Sequence, residues 1–138
     1  MQLQDFLNKV REKEENKLKL IEIEVENFGK IEFMRPKTQD LLKCMSETAE
    51  SNTVIKTEEG NLEKTDIKGI LDAAKELVYN SCSLLQSKEI RDQYSNLHPY
   101  DIPVEIFGIT ETISIAAEIM EKFSGSKEVE KLENDIKN

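Results

Sequence analysis

The chain has 138 residues, 38% hydrophobic and 34% charged, with 28 Asp and Glu against 19 Lys and Arg, a formal net charge of -9 and two cysteines. That length suits one domain with its own core and leaves little room for a second, while the polar composition points to a solvated tail or loop. The acidity opposes binding to a phosphate backbone, Cys44 and Cys82 are too few for a disulfide framework, and neither a leader nor a bilayer-spanning run stands out, so a cytoplasmic protein without nucleic-acid or membrane partners is expected.

Along the chain, Leu3, Phe6, Leu7 and Val10 recur at helical spacing and give way to a charged linker ending near residue 17. From Lys19 the period changes to two: Ile21, Ile23 and Val25 alternate with Glu22, Glu24 and Glu26, and Ile31 and Phe33 resume after a turn. This predicts a hairpin over about 19–35. A three-residue loop of Asn27, Phe28 and Gly29 sets Val25 opposite Ile31 and Ile23 opposite Phe33, with Gly29 in the left-handed position. Pro36 ends the second strand, and Thr38 is the expected cap of a helix over 39–49 with Leu41, Leu42 and Met45 inward. In the polar stretch 50–65, Thr53 to Lys56 and a turn at Glu59, Gly60 and Asn61 suggest a second small hairpin.

Asp66 is placed to cap a helix running to about Leu85, with Ile67, Ile70, Leu71, Ala74, Leu77, Val78, Ser81, Cys82 and Leu85 on one stripe. Ser87 is placed to cap a shorter helix over 88–94. Pro99 and Pro103 punctuate a connector before an apolar turn at Val104, Ile106 and Phe107. The last helix, about 110–123, has a stripe of Ile113, Ala116, Ala117, Met120 and Phe123 widened by Ile115 and Ile119, and stops at Ser124 and Gly125. In residues 126–138, Val129, Leu132 and Ile136 fall at i, i+3 and i+7 among mixed charges, the pattern of a frayed helix or one induced by a partner. The expected fold is therefore α+β and mostly helical: an N-terminal hairpin packed with four to five helices in one domain over 1–125, then a charged, flexible tail.

The chemistry-bearing residues are sparse. His98 is the single histidine, and its place beside Pro99 suggests a structural role. Cys44, Cys82 and His98 lack the paired short spacing of a zinc site, and neither thiol has a base or basic neighbours to activate it. Glycines do not gather into a phosphate loop, and carboxylate pairs such as Glu22 and Glu24 fall on an outward strand face. The residues thus indicate a protein that is not an enzyme and uses no cofactor or metal. The candidate partner-binding face is the wide apolar surface of the last helix, at Ile115, Ile119, Met120 and Phe123.

The order of hairpin, Arg35-Pro36-Lys37-Thr38 helix start, variable polar stretch and helical C-terminal half resembles the tail assembly chaperones of long-tailed bacteriophages and prophages, in particular the XkdN-like group. The likeness is densest from Leu77-Val78 through the leucine, acidic and tyrosine pattern of Leu85 to Tyr94, then Pro103 to Phe107, then Ile119 to Gly125. The chain departs from the pattern at Ser83-Leu84, where members often carry a proline, and at Thr110-Glu111, where they often carry Gly-Glu. The resemblance implies a chaperone that binds the tape measure protein during tail assembly in the host bacterial cytoplasm, helps recruit tail tube subunits, and has no catalytic residue. It also implies a longer product made by ribosomal frameshifting. An alternative from the acidic composition is a small prophage-encoded regulatory or inhibitory protein on a basic site of a host protein, which salt would weaken.

Overall fold

The computed structural model describes the backbone of residues 1–124 and, apart from 53–57 and 61–63, their side chains. The chain runs α1 (Leu3–Glu15), β1 (Leu20–Val25), β2 (Gly29–Met34), α2 (Thr38–Glu50), β3 (Asn52–Thr57), β4 (Gly60–Thr65), α3 (Ile67–Asn80), α4 (Lys88–Gln93), a 3-10 turn (Pro99–Asp101), α5 (Ile102–Phe107) and α6 (Ile109–Phe123). This is the α+β, mostly helical architecture with an N-terminal hairpin that the periodicities indicate. The expected tail over 126–138 lies outside the described residues.

The alternation of β1 buries Ile23, Val25 and, from β2, Phe33. The register differs from the expected one by two residues: Val25 faces Gly29, Ile23 faces Ile31 and Ile21 faces Phe33. The loop is therefore Glu26 to Phe28, closed by the Phe28 N–H donating to the Val25 carbonyl at 3.0 Å. Asn27 and Gly29 both adopt the left-handed region, at φ 72° and 80°, which these two residue types tolerate best. A slip of two leaves every side chain on its face, so Val25 loses an apolar partner across the ladder and is covered by α6, against which β1 packs. The shift also places Phe28 at the tip, where its ring meets Phe107 edge-on at 5.3 Å.

The second hairpin forms with Thr57 facing Gly60. Its turn is Glu58 and Glu59, one residue earlier than expected, and Gly60 supplies the positive φ of 130°. At the start of α2 the cap position is Lys37, which makes no side-chain capping bond; Thr38 is already helical. Of the three residues expected inward, Leu41 and Met45 are half-buried, whereas Leu42 is exposed and Cys44 takes the inward position.

The central helix is α3, packed against α2, α5, α6 and the 3-10 turn. Asp66 caps it as expected, its Oδ1 accepting from the Gly69 N–H at 3.2 Å. The helix stops at Asn80 rather than near Leu85. Its last carbonyls find partners distant in sequence: Ser81 accepts from the Met34 N–H at 2.7 Å, and Tyr79 accepts from Gln86 Nε2 at 2.8 Å. These bonds satisfy groups a helix end leaves open, and the turn that follows still delivers Cys82 and Leu85 to the core. Encirclement buries Ala73 and Tyr79, which lie off the expected stripe, while Ile67 at the N-terminal end is exposed. On the outer side Lys75 reaches Asp101 at 2.6 Å and Asp72 at 3.3 Å, fastening the connector to α3.

Ser87 caps α4 by accepting from the Ile90 N–H at 3.4 Å. His98 has a structural role, its Nδ1 accepting from the Tyr100 N–H at 3.1 Å. On α6 the buried stripe is Thr112, Ile115, Ala116, Ile119 and Phe123, with Ala117 exposed and Ile113 and Met120 half-buried. Thr112 hides its polarity by donating to the Gly108 carbonyl at 2.6 Å, so a hydroxyl residue occupies the centre of an apolar face. Replacing Phe33, fully enclosed, by alanine should cost about 3–5 kcal/mol in urea unfolding. By contrast Ser81→Ala should be neutral or stabilising, because the Ser81 hydroxyl is buried without a partner among the described residues.

Candidate partner-binding surface

The apolar face expected on α6 is occupied within the chain. Ile115, Ile119 and Phe123 are 1%, 0% and 3% exposed, and Met120 is half-buried against the same core. They are held there because α6 lies between α3 and β1, and the Arg35 guanidinium sits 5.4 Å from the Phe123 ring centre. A partner reaching Ile119 would have to open the core. The wide apolar surface is thus covered by α3, α5 and β1 within the chain.

Helix α1 presents an open face instead. It buries none of its residues, and Leu3, Phe6, Leu7 and Val10 are 71%, 54%, 45% and 43% exposed. Their spacing places them on one side of the helix, while Gln4, Asp5, Lys9, Arg11 and Glu12 surround them. Asp5 in the first turn and Lys13 in the last complement the helix dipole, but no side chain caps the N-terminus. A helix of 13 residues is marginal in water on local propensity alone, so a partner that covers the stripe also stabilises α1 itself. The helical spacing in the sequence marks this stripe; what it does not reveal is that the body leaves the stripe open.

Two further surfaces are concave. A groove of about 200 Å³ between α2 and the end of α6 is lined by Pro36, Leu41, Leu42, Met45 and Phe123. A cleft of about 570 Å³ over the connector presents Lys88, Arg91 and Asp92 beside Tyr94, Leu97 and Ile102. On the outward face of the hairpin Glu22 opposes Glu32 and Glu24 opposes Lys30, so like charges meet at only one of these two positions.

Cys44 and Cys82 are buried and unpaired with each other. Burial pushes the Cys44 thiol up to about 11, and raises that of Cys82 for the same reason. Both are thus held as neutral core groups rather than nucleophilic thiolates. No group of three or more His, Cys, Asp or Glu among the described residues is arranged to hold a metal, and no described helix is long and apolar enough to cross a membrane.

Ile119→Asp should abolish cooperative thermal unfolding, because it buries a charge in the core, whereas Phe6→Asp should change stability by less than about 0.5 kcal/mol. Circular dichroism melts separate the two. The raised Cys44 thiol also sets a pH dependence. Above about 8.5, the usual ionisation point of a thiol, the unfolded chain releases a proton that the folded chain retains. Stability should therefore fall as pH climbs toward about 11, by on the order of 3 kcal/mol. Cys44→Ala should reduce that slope in denaturant titrations at pH 8 and 10, leaving the part that the buried Cys82 contributes. Compared with protein-family models, with curated proteins and with solved structures, the chain has no match.

Proposed function

We propose that this chain is a non-enzymatic tail assembly chaperone of a bacteriophage or prophage, which binds the tape measure protein in the host cytoplasm and helps recruit tail tube subunits. The observation that carries the reading is the open apolar stripe of α1 on an otherwise acidic molecule. A tape measure protein presents long helical, partly apolar segments, and an amphipathic helix covers such a segment by laying its stripe along it. The surrounding Gln, Lys, Arg and Glu would keep the complex solvated. The resemblance of Leu85 to Tyr94, Pro103 to Phe107 and Ile119 to Gly125 to the XkdN-like pattern supports the tape measure protein as the partner, and the segments as far as Ser124 belong to the body that carries α1.

A second reading, an acidic inhibitor of a host protein, draws on the exposed glutamates of the hairpin, where Glu22 and Glu32 are opposed. The two readings differ in their response to salt, because exposed charge pairs are screened and apolar contacts are not. Co-expression with overlapping tape measure fragments, followed by size-exclusion chromatography at low and high salt, tests the proposal. The expected result is a complex that survives high salt and is lost when Phe6 and Val10 are both changed to Asp in a chain that still melts normally. No complex with any fragment, or one that dissolves with salt and ignores Phe6→Asp and Val10→Asp, would contradict it.

A further inference from the structure

Helix α1 is charged asymmetrically around its apolar stripe. At about 100° per residue, Leu3, Phe6, Leu7 and Val10 share one side, Arg11 borders them on one margin, and Lys13 with Lys9 behind it borders them on the other. Gln2 and Gln4 complete the margins, and the carboxylates of Asp5 and Glu12 fall on the opposite side of the helix. A partner lying on the stripe therefore meets cations along both edges, on a molecule whose formal net charge is -9.

The same sign continues where the stripe ends. The next residues on that side after Val10 are Lys13 and Glu14, and both line an open groove of about 530 Å³ between the end of α1 and the last turn of α6. Lys13, Lys17, Arg35 and Lys122 bring four positive charges to this groove and Glu14 a single negative one, while Leu18 and Phe123 supply apolar wall. Glu14 is already paired with Lys17 at 3.8 Å. Arg35 donates to the Leu18 carbonyl at 3.3 Å and lies over the Phe123 ring, contacts that leave its charge uncompensated. Lys9, Arg11, Lys13 and Lys122 have no carboxylate within ion-pair distance among the described residues. The dipoles of α1 and α6 account for Lys13 and Lys122, each in a last turn. They do not account for Lys9 and Arg11 at the margins, or for Arg35 in the groove.

We propose that the occupant of α1 is an acidic amphipathic helix of a protein partner, laid antiparallel to α1. Its apolar residues, at i, i+3, i+4 and i+7, cover the stripe, and Asp or Glu along its edges meet Lys9, Arg11 and Lys13. The orientation follows from charge, because a helix N-terminus favours carboxylates and carries the positive end of the dipole. In the antiparallel arrangement that end enters the groove, where the cations gather and α1 and α6 present their negative ends. A second copy's α1 does not fit, since it brings the same cations to the same margins. An anionic bilayer is also disfavoured: its surface extends past α1 to the acidic body, whereas a single helix meets only the charges within about 8 Å of it. The inference rests on the reading of α1 as the docking surface and adds the chemistry of what docks.

Fluorescence anisotropy of the full chain with three labelled, lactam-stapled peptides tests this. All share one apolar stripe; the first has Glu on both margins and in its first turn, the second has Glu on the margins and in its last turn, and the third has Lys in place of every Glu of the first. At low salt the first should bind about tenfold tighter than the third and about threefold tighter than the second. The gaps should narrow as salt rises while binding by apolar contact persists. Lys9→Glu with Lys13→Glu, both exposed and so nearly neutral for stability, should invert the preference between the first and third peptides. Equal affinities for those two, a preference for Lys, or no binding of any peptide would overturn the proposal, and equal affinities for the first and second would overturn the antiparallel placement. Capture by vesicles of phosphatidylserine and phosphatidylcholine without peptide binding would assign the stripe to a membrane and overturn it as well. Peptide binding that survives Phe6→Asp with Val10→Asp would overturn it together with α1 as the docking surface. Glu-preferring binding that those changes remove, in a chain that forms no complex with tape measure fragments, would support the inference and contradict the tape measure assignment alone.

Discussion

The structure depends on the enclosure of α6 by α3 and β1. Ile119 has no exposed surface and Phe123 is nearly enclosed, so the helix richest in apolar residues turns its main stripe into the molecule and keeps only its outer side, at Ala117 and Glu118, exposed. α3 is the element that makes this closure available, because it also packs on α2, α5 and the 3-10 turn. Around such a centre each amphipathic piece has somewhere to bury its stripe, except the one that precedes the hairpin. The position of α1 outside the packed body is thus the other side of the same arrangement: the core is complete without it.

The enclosure also accounts for where polar groups end. Ser81 accepts a hydrogen bond from β2, Thr112 folds its hydroxyl back onto its own helix, and Lys75 bridges α3 to the connector. Each satisfies a group that burial would otherwise leave costly. The hairpin is consequently tied to α3 through backbone as well as through side chains. The ion pairs on the outer side of α3 are partly exposed and add little stability individually; Lys43–Glu76 ties α2 to α3 and Lys75–Asp101 orients the connector.

Much of this was legible in local pattern. The alternation of Ile21, Ile23 and Val25 specifies a half-buried strand, and Asp66 and Ser87 announce their helices because capping is a local bond between a side chain and a backbone N–H three residues on. Features set by distant residues were not legible. The hairpin register slipped by two because both registers keep the same faces, and the choice between them falls to Phe107 and α6. The end of α3 is decided by Met34 and Gln86, whose approach no spacing within the helix encodes. Thr112 hid the centre of the α6 stripe because its polarity is cancelled by the carbonyls of Gly108 and Pro103, which its own position in the sequence does not reveal. The largest difference concerns function. Ile115, Ile119, Met120 and Phe123 read as an open face because a sequence shows that a surface is apolar but not how many neighbours cover it. The four apolar residues of α1 had been equally visible, and only their lack of a neighbour gives them meaning.

The account stands on the claim that a protein partner meets α1 and not α6. A photoreactive phenylalanine analogue placed at Phe6 in one version of the chain and at the exposed Ala117 of α6 in another reads this directly, since the label joins only what lies within a few ångströms. With tape measure fragments present, position 6 should yield a covalent adduct whose fragment peptide is identifiable by mass spectrometry, and position 117 should yield none. Adducts from Ala117 with none from Phe6 would place the docking surface on α6 and contradict the account.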